Sequence, residues 1–278
     1  MSAFVVLISI GAGVLHATWN ALAKQVDDRF ALFSVIGVVF VLSGAAALSI
    51  TGLPNRSGTT LAVISAAIHV AYQAALINAY RLGAFNQTYP IARGTSPLLV
   101  AAGAYFLVDE RLDQVHLAGV AILAFGLMSL AVSSGAVSRV ELPAIAAAVL
   151  AGLTIASYSL VDGLGVRHSH DAYSYAALLF LLEGVAFPAI FLVRSPTSAR
   201  RSGPILKRGV LAGLLSLLAY GAILWAQARA PLAEVAALRE TSVISAAVIG
   251  ALFLREPFGV RRLAAATLVA AGVLMISI

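Results

Sequence analysis

Two arginines stand in stretches apolar enough to lie inside a membrane. Arg93 belongs to YPIARGTSPLLVAAGAYFLVDE, Tyr89 to Glu110, and Arg239 to VAALRETSVISAAVIGALFLRE, Val235 to Glu256. A guanidinium is always charged and can grip a carboxylate or a phosphate through two parallel hydrogen bonds. The chemistry on offer is therefore recognition of a small anion. Laid over each other without a gap, the stretches pair Arg93 with Arg239, Thr95 with Thr241, Ser96 with Ser242 and Glu110 with Glu256, an internal repeat at an offset of 146 residues. Charge at membrane depth is costly and points to function by default. The other reading is structural: an ion pair or carbonyl clamp holding two halves together.

The remaining polar residues of the apolar runs fall at helical spacing. His16 and Asn20, four apart with Trp19 beside them, share one face, and His69 and Gln73 repeat the pattern. Tyr89, Arg93 and Ser96 form a stripe, where Pro90 frees a carbonyl one turn earlier. Thr154 and Tyr158 follow in another run, with Asp162 near its expected end; Ser216, Tyr220 and Gln227 lie in a third. The expected site has Arg93 and Arg239 on a carboxylate or phosphate, Tyr89, Tyr158 and Tyr220 shaping the pocket, and His16, Asn20 and Gln73 supplying hydrogen bonds. Glu183 and Glu240 are the candidates for a proton-responsive group, since an unpaired carboxylate in hydrocarbon is driven towards its neutral form. Glu183 either pairs with an arginine or carries a proton. The histidine and amide pairs can equally be interhelical glue, and Glu110 and Glu256 can be caps or interfacial contacts. His168 and His170 make a weak metal signal without a third ligand, and no motif calls for a cofactor.

The elements that must hold these residues are membrane helices. Soluble domains carry roughly 25% charged residues, whereas this chain of 278 residues has 11% charged and 61% hydrophobic, with a mean hydropathy of +0.97. Ten helices near the ~20 residues needed for a span fit at 3–23, 31–52, 58–80, 84–107, 114–133, 142–162, 171–193, 207–227, 231–254 and 260–278. The repeat places helices 1 to 5 (residues 1–136) on helices 6 to 10 (residues 137–278). Five is odd, so the second half enters the membrane from the opposite side if it shares the fold of the first. The fold class expected is thus an all-α membrane protein of ten transmembrane helices in two inverted five-helix repeats. Helices 5 and 10 are nearly bare of polar atoms and belong at the periphery, facing lipid or the partner in a homodimer.

Lys24, Arg29, Arg81, Arg139, Arg194, Arg200, Arg201, Lys207, Arg208, Arg255, Arg261 and Arg262 collect at one face; Arg56, Arg111, Arg167 and Arg229 lie at the other. The positive-inside rule sets the first group in the cytoplasm and both termini outside. The net charge of +6 then meets anionic lipid headgroups, not nucleic acid. There is no phosphate loop, G-x-S-x-G or H-E-x-x-H to suggest an ATPase, a serine hydrolase or a zinc protease. Without cysteine there is no disulfide or thiolate metal site. The first apolar run lacks a basic leader and a small-residue cleavage site, and is expected to be a retained span.

Across its length the chain resembles the drug/metabolite transporter superfamily, in particular its ten-helix EamA-type members. The resemblance rests on AAGAYFLVDERL and AAVIGALFLREPFG, on PIARGTSPLLV and ALRETSVISAA, and on the opening GVLHATWNALAK. It implies a transporter of the bacterial inner-membrane type. In the related small multidrug pumps a glutamate of helix 1 lies eight residues before a lysine; here His16 lies eight before Lys24, so that coupling carboxylate is missing. In the related sugar-phosphate translocators, basic residues of helix 9 hold the substrate's anionic group, and Arg239 stands on that helix. The expectation is a secondary transporter, an exporter, of a small anionic or zwitterionic metabolite by alternating access, with a proton as candidate coupling ion. An intramembrane enzyme and a non-transporting assembly or sensor subunit are the alternatives.

Overall fold

A computed structural model describes residues 1–24, 26, 28–83, 85–133, 142–194, 203–253 and 260–278. Every regular element among them is a helix: α1 (Ala3–Lys24), α2 (Arg29–Thr51), α3 (Arg56–Leu82), α4 (Phe85–Val108), α5 (Gln114–Ser133), α6 (Leu142–His168), α7 (Ala172–Arg194), α8 (Gly203–Gln227), α9 (Leu232–Arg239), α10 (Ser242–Phe253) and α11 (Val260–Ser277). Eight of the described helices, α1 to α8, are long and apolar enough to cross a membrane. The boundary between the expected halves, Glu256 and the basic residues Arg139, Arg200, Arg201 and Arg255 lie outside the described residues.

Several helices begin at short polar side chains that accept the first free N–H groups. Asp28 accepts from Ala31 N at 2.9 Å, Asn55 from Gly58 N at 2.8 Å and Asp171 from Ser174 N at 2.8 Å. Asp113 accepts from the N–H groups of Val115 and His116, each at 2.9 Å. The His116 N–H is the main cause that holds the Asp113 carboxyl below its ordinary range.

Two boundaries differ from the sequence expectation. α6 continues to His168, which moves Asp162 from a helix end to the interior. The expected ninth helix is broken: Glu240 and Thr241 form a turn in which their N–H groups donate to Ala237 O at 3.0 Å and Leu238 O at 3.1 Å. Neither residue is a helix breaker by composition. The break coincides with α1, because a Cβ added at Gly13 would stand 2.6 Å from Thr241 Oγ1 and 3.0 Å from Ser242 N. By contrast α4, with Pro90 and Pro97 inside it, is a single helix.

Helices pack chiefly as α2 on α7, α3 on α6, α5 on α11, α4 on α6 and α1 on α8. Lipid tails are as apolar as leucine, so such packing depends on close backbone approach at small residues. At the α2–α7 crossing, a Cβ on Gly37 would lie 2.6 Å from Gly184 O, and one on Gly184 2.6 Å from Gly37 O. Large apolar side chains such as Phe4, Leu42, Phe106 and Phe125 point outward, as suits a hydrocarbon solvent. A Gly13→Ala substitution is expected to cost about 1–3 kcal/mol by overpacking, read as a lower unfolding temperature in detergent. An unchanged midpoint would mean that α1 does not press on the break.

Candidate substrate-binding site

The break in the ninth segment leaves Arg239 at the last turn of α9 and Glu240 in the turn itself. Arg93 approaches from α4. Arg93 Nε lies 2.7 Å from Glu240 Oε2, and Arg239 Nε lies 3.7 Å from Glu240 Oε1. Both arginines are 4% exposed and Glu240 is 0% exposed. One carboxylate thus stands between two guanidinium groups, a net charge of +1 removed from water.

The contact is ionic, but its hydrogen bonds are not aligned. Arg93 Nε, Arg239 Nε and both Glu240 oxygens are buried without a hydrogen-bond partner, despite the 2.7 Å approach, because the N–H is not aimed at the oxygen. Arg93 Nη2 donates to Ser242 Oγ at 2.9 Å, and Arg239 Nη2 makes a long contact of 3.5 Å with Ser159 Oγ. Native interiors leave few buried polar groups unpaired. Among the described residues, four of the eleven buried side-chain atoms without a partner belong to this one charge cluster.

Aromatic rings surround it. The Tyr89 ring centre is 5.8 Å from Arg93 Cζ and the Tyr158 ring centre 5.9 Å from Arg239 Cζ. Tyr158 stacks on His69 at 4.0 Å and meets Tyr72 and Tyr220 edge-on at 5.7 and 6.3 Å. His69 Nδ1 is 3.0 Å from Ser65 O, a carbonyl that only accepts, so in the neutral ring Nδ1 carries the proton and Nε2 is the acceptor. His16 feels the charge of both arginines and packs edge-on against Trp19 at 5.3 Å.

The expected residues therefore converge unequally. Arg93, Arg239, Glu240, Tyr89, Tyr158, Tyr220 and His16 share the central region. The Asn20 amide donates to His16 O of its own helix at 2.8 Å. Gln73 stands one turn from His69 on α3, half-buried. Glu183 has a buried Oε2 without a hydrogen-bond partner, and its electrostatic neighbours are His69 and Asp162, not an arginine. Two residues outside the expected site, Asp162 and Tyr175, also belong to this region. Asp162 is 0% exposed and accepts from Tyr175 Oη at 2.8 Å and from Tyr220 Oη. Its place one turn after Tyr158 was the available signal; Tyr175 had none.

A second polar cluster ties the bundle at the end where α4, α6 and α8 finish. Arg167 Nη1 donates to Glu110 Oε1 at 2.6 Å, its Nε to Gln227 O at 2.9 Å and its Nη2 to Ala230 O at 2.6 Å. Glu110 Oε2 accepts from Leu232 N at 2.7 Å, in the first turn of α9. Glu110 is thus a cap, but for a helix of the other half of the chain.

Residues 142–278 match the model of the EamA-like transporter family. Comparison with curated protein sequences gives no match. Among solved structures, one crystal structure superposes with a TM-score of 0.77 at 18% identity, covering 99% of this chain and 96% of its own; that likeness is one of fold. Eight described helices long and apolar enough to cross a membrane, and a second half that matches the EamA-like transporter family, make the chain a multi-pass membrane protein whose residues 142–278 form an EamA-like transporter domain.

Proposed function

We propose that the chain is a secondary-active transporter of a small anionic or zwitterionic metabolite, bound between its two halves at the Arg93–Glu240–Arg239 cluster. The observation that carries this reading is the buried cluster of net charge +1 in which the Nε of each arginine and both Glu240 oxygens lack aligned hydrogen bonds. A ligand carboxylate or phosphate would balance the charge and give the guanidinium N–H groups an acceptor. Glu240 would receive an ammonium. Tyr89, Tyr158, Tyr220 and His16 would form the walls, with Asn20 and Gln73 at the margin.

The halves would rock as inverted repeats. Helix pairing supports this: exchanging the first five spans with the second five turns the α3–α6 contact into α8–α1, and returns α2–α7 and α5–α11 to themselves. The Glu110–Arg167 tie would close one face, taken as the outer one with both termini. Glu183 and Glu240 are the candidate proton carriers. The outward faces of α5 and α11 would meet lipid or a second copy, and export is the direction to test first.

Screening the purified protein by thermal shift against amino acids, organic acids and phosphonates, then measuring flux of the strongest hit in proteoliposomes, tests the reading. Flux is expected to fall at least ~100-fold in Arg93→Gln and in Arg239→Gln, the loss of a charge-assisted pair of about 3 kcal/mol. Wild-type flux in both variants would overturn it.

A further inference from the structure

We propose that a groove on the flank of the bundle seats an acyl chain of an anionic phospholipid, with Arg229 at its mouth taking the phosphate. The groove encloses about 390 Å³ between α2, α7 and α8, within the range of small-molecule sites, roughly 300–1,000 Å³. Small side chains line it: Gly44 and Ala47 on α2, Ala172 and Ala176 on α7, Gly221 and Ala222 on α8. A Cβ added at Gly221 would meet only the Phe180 ring, at 4.0 Å. Phe180 is buried and forms the inner wall, its ring centre 6.3 Å from that of Tyr220.

Length and depth select the occupant. On α7 the lining runs from Ala172 to Phe180 and on α8 from Leu217 to Trp225, about 12 Å along each at 1.5 Å per residue. It starts at the first residue of α7 and near the last turn of α8, so it leads from the headgroup level down into hydrocarbon. The fitting ligand is apolar, narrow and anchored at the interface.

Chemistry at the mouth fixes the headgroup. Trp225 lines the groove, and the Arg229 guanidinium lies 4.2 Å above its ring. Arg229 Nη1 donates to Trp225 O at 3.1 Å, and the exposed side chain offers its other N–H groups to a phosphate. Tyr173, 60% exposed, adds an interfacial ring. The nearby carboxylate, Asp171, is occupied in capping α7.

Trp225 is also the reporter, since the chain has only two tryptophans. The Trp19→Phe protein, reconstituted in phosphatidylcholine bilayers, is titrated with acyl-brominated phosphatidylglycerol or acyl-brominated phosphatidylcholine. Should that variant fail to fold, the difference between wild type and Trp225→Phe gives the same signal. Half-quenching is expected at an about fivefold lower mole fraction of the anionic lipid, the weight of roughly 1 kcal/mol from one interfacial arginine. Arg229→Gln should erase the preference, and Gly221→Leu, which fills the groove, should reduce quenching by both lipids. Superimposable curves for the two lipids in the wild-type groove, or unchanged quenching in Gly221→Leu, overturn the proposal.

Discussion

Replacing Glu240 with glutamine is expected to be the most damaging single change in the protein. It leaves two guanidinium groups facing each other in a buried site, raising the net charge of the cluster from +1 to +2. Removing one partner of a buried ion pair costs about 3–5 kcal/mol, because the charge left behind has neither water nor counter-ion. A protein of this size should then unfold roughly 10 °C lower. Charge arithmetic makes the prediction specific. Arg93→Gln leaves Arg239 and Glu240 balanced and should be milder, and the double variant Arg93→Gln, Glu240→Gln should recover part of the loss. Millimolar carboxylate or phosphate should raise the midpoint of Glu240→Gln more than that of wild type, since an added anion substitutes for the missing one. If Glu240→Gln melts no lower than Ser242→Ala, the cluster is not governed by its charge.

Glu110→Gln and Arg167→Gln should each open one face of the bundle. The pair is 15% and 25% exposed, so its ionic part is discounted for screening. The loss lies mainly in the hydrogen bonds: Arg167 to two carbonyls and Glu110 to the first turn of α9. Bonds to charged groups contribute about 1.5–3 kcal/mol each, enough to shift an access equilibrium by at least ~10-fold. The chain has no cysteine, which permits a clean readout. A single Ser159→Cys, buried beside Arg239, should react about 10-fold faster with an impermeant thiol reagent when combined with Glu110→Gln, whereas Glu110→Asp should stay close to the parent. Equal reactivity in all three would separate this tie from access to the centre.

What the sequence made legible was what repeats or alternates with a period. Arg93 and Arg239 emerged together because two stretches align without a gap, and the spans emerged because a bilayer demands long apolar runs. The break at Glu240 did not, and the reason is physical. Proline would have placed it in α4, yet α4 continues through Pro90 and Pro97. The ninth segment breaks where Gly13 of α1 presses on Thr241 and where Arg93 draws in Glu240, both contacts made at long range. Asp162 with Tyr175 and Tyr220 was hidden for the same reason, its partners lying 13 and 58 residues away. For Glu110 the sequence leaves a cap and an interfacial contact open, and a helix to be capped could not be named, since the N–H it takes belongs to Leu232.

The position that aligns with Glu240 in the first half is Gly94. A Cβ there would lie 2.6 Å from Met128 Cγ and 3.0 Å from Ala124 O, so α5 leaves that copy no room for an acid. The repeat carries matching cations, while sterics leave room for the anion in one copy only, where it stands between them. A zwitterion entering such a chamber meets a polarised surface and adopts a single heading, ammonium towards the α9–α10 turn. The reversed heading sets carboxylate against carboxylate, so the chamber reads the direction of a zwitterion, and telling its enantiomers apart falls to a third contact from the walls.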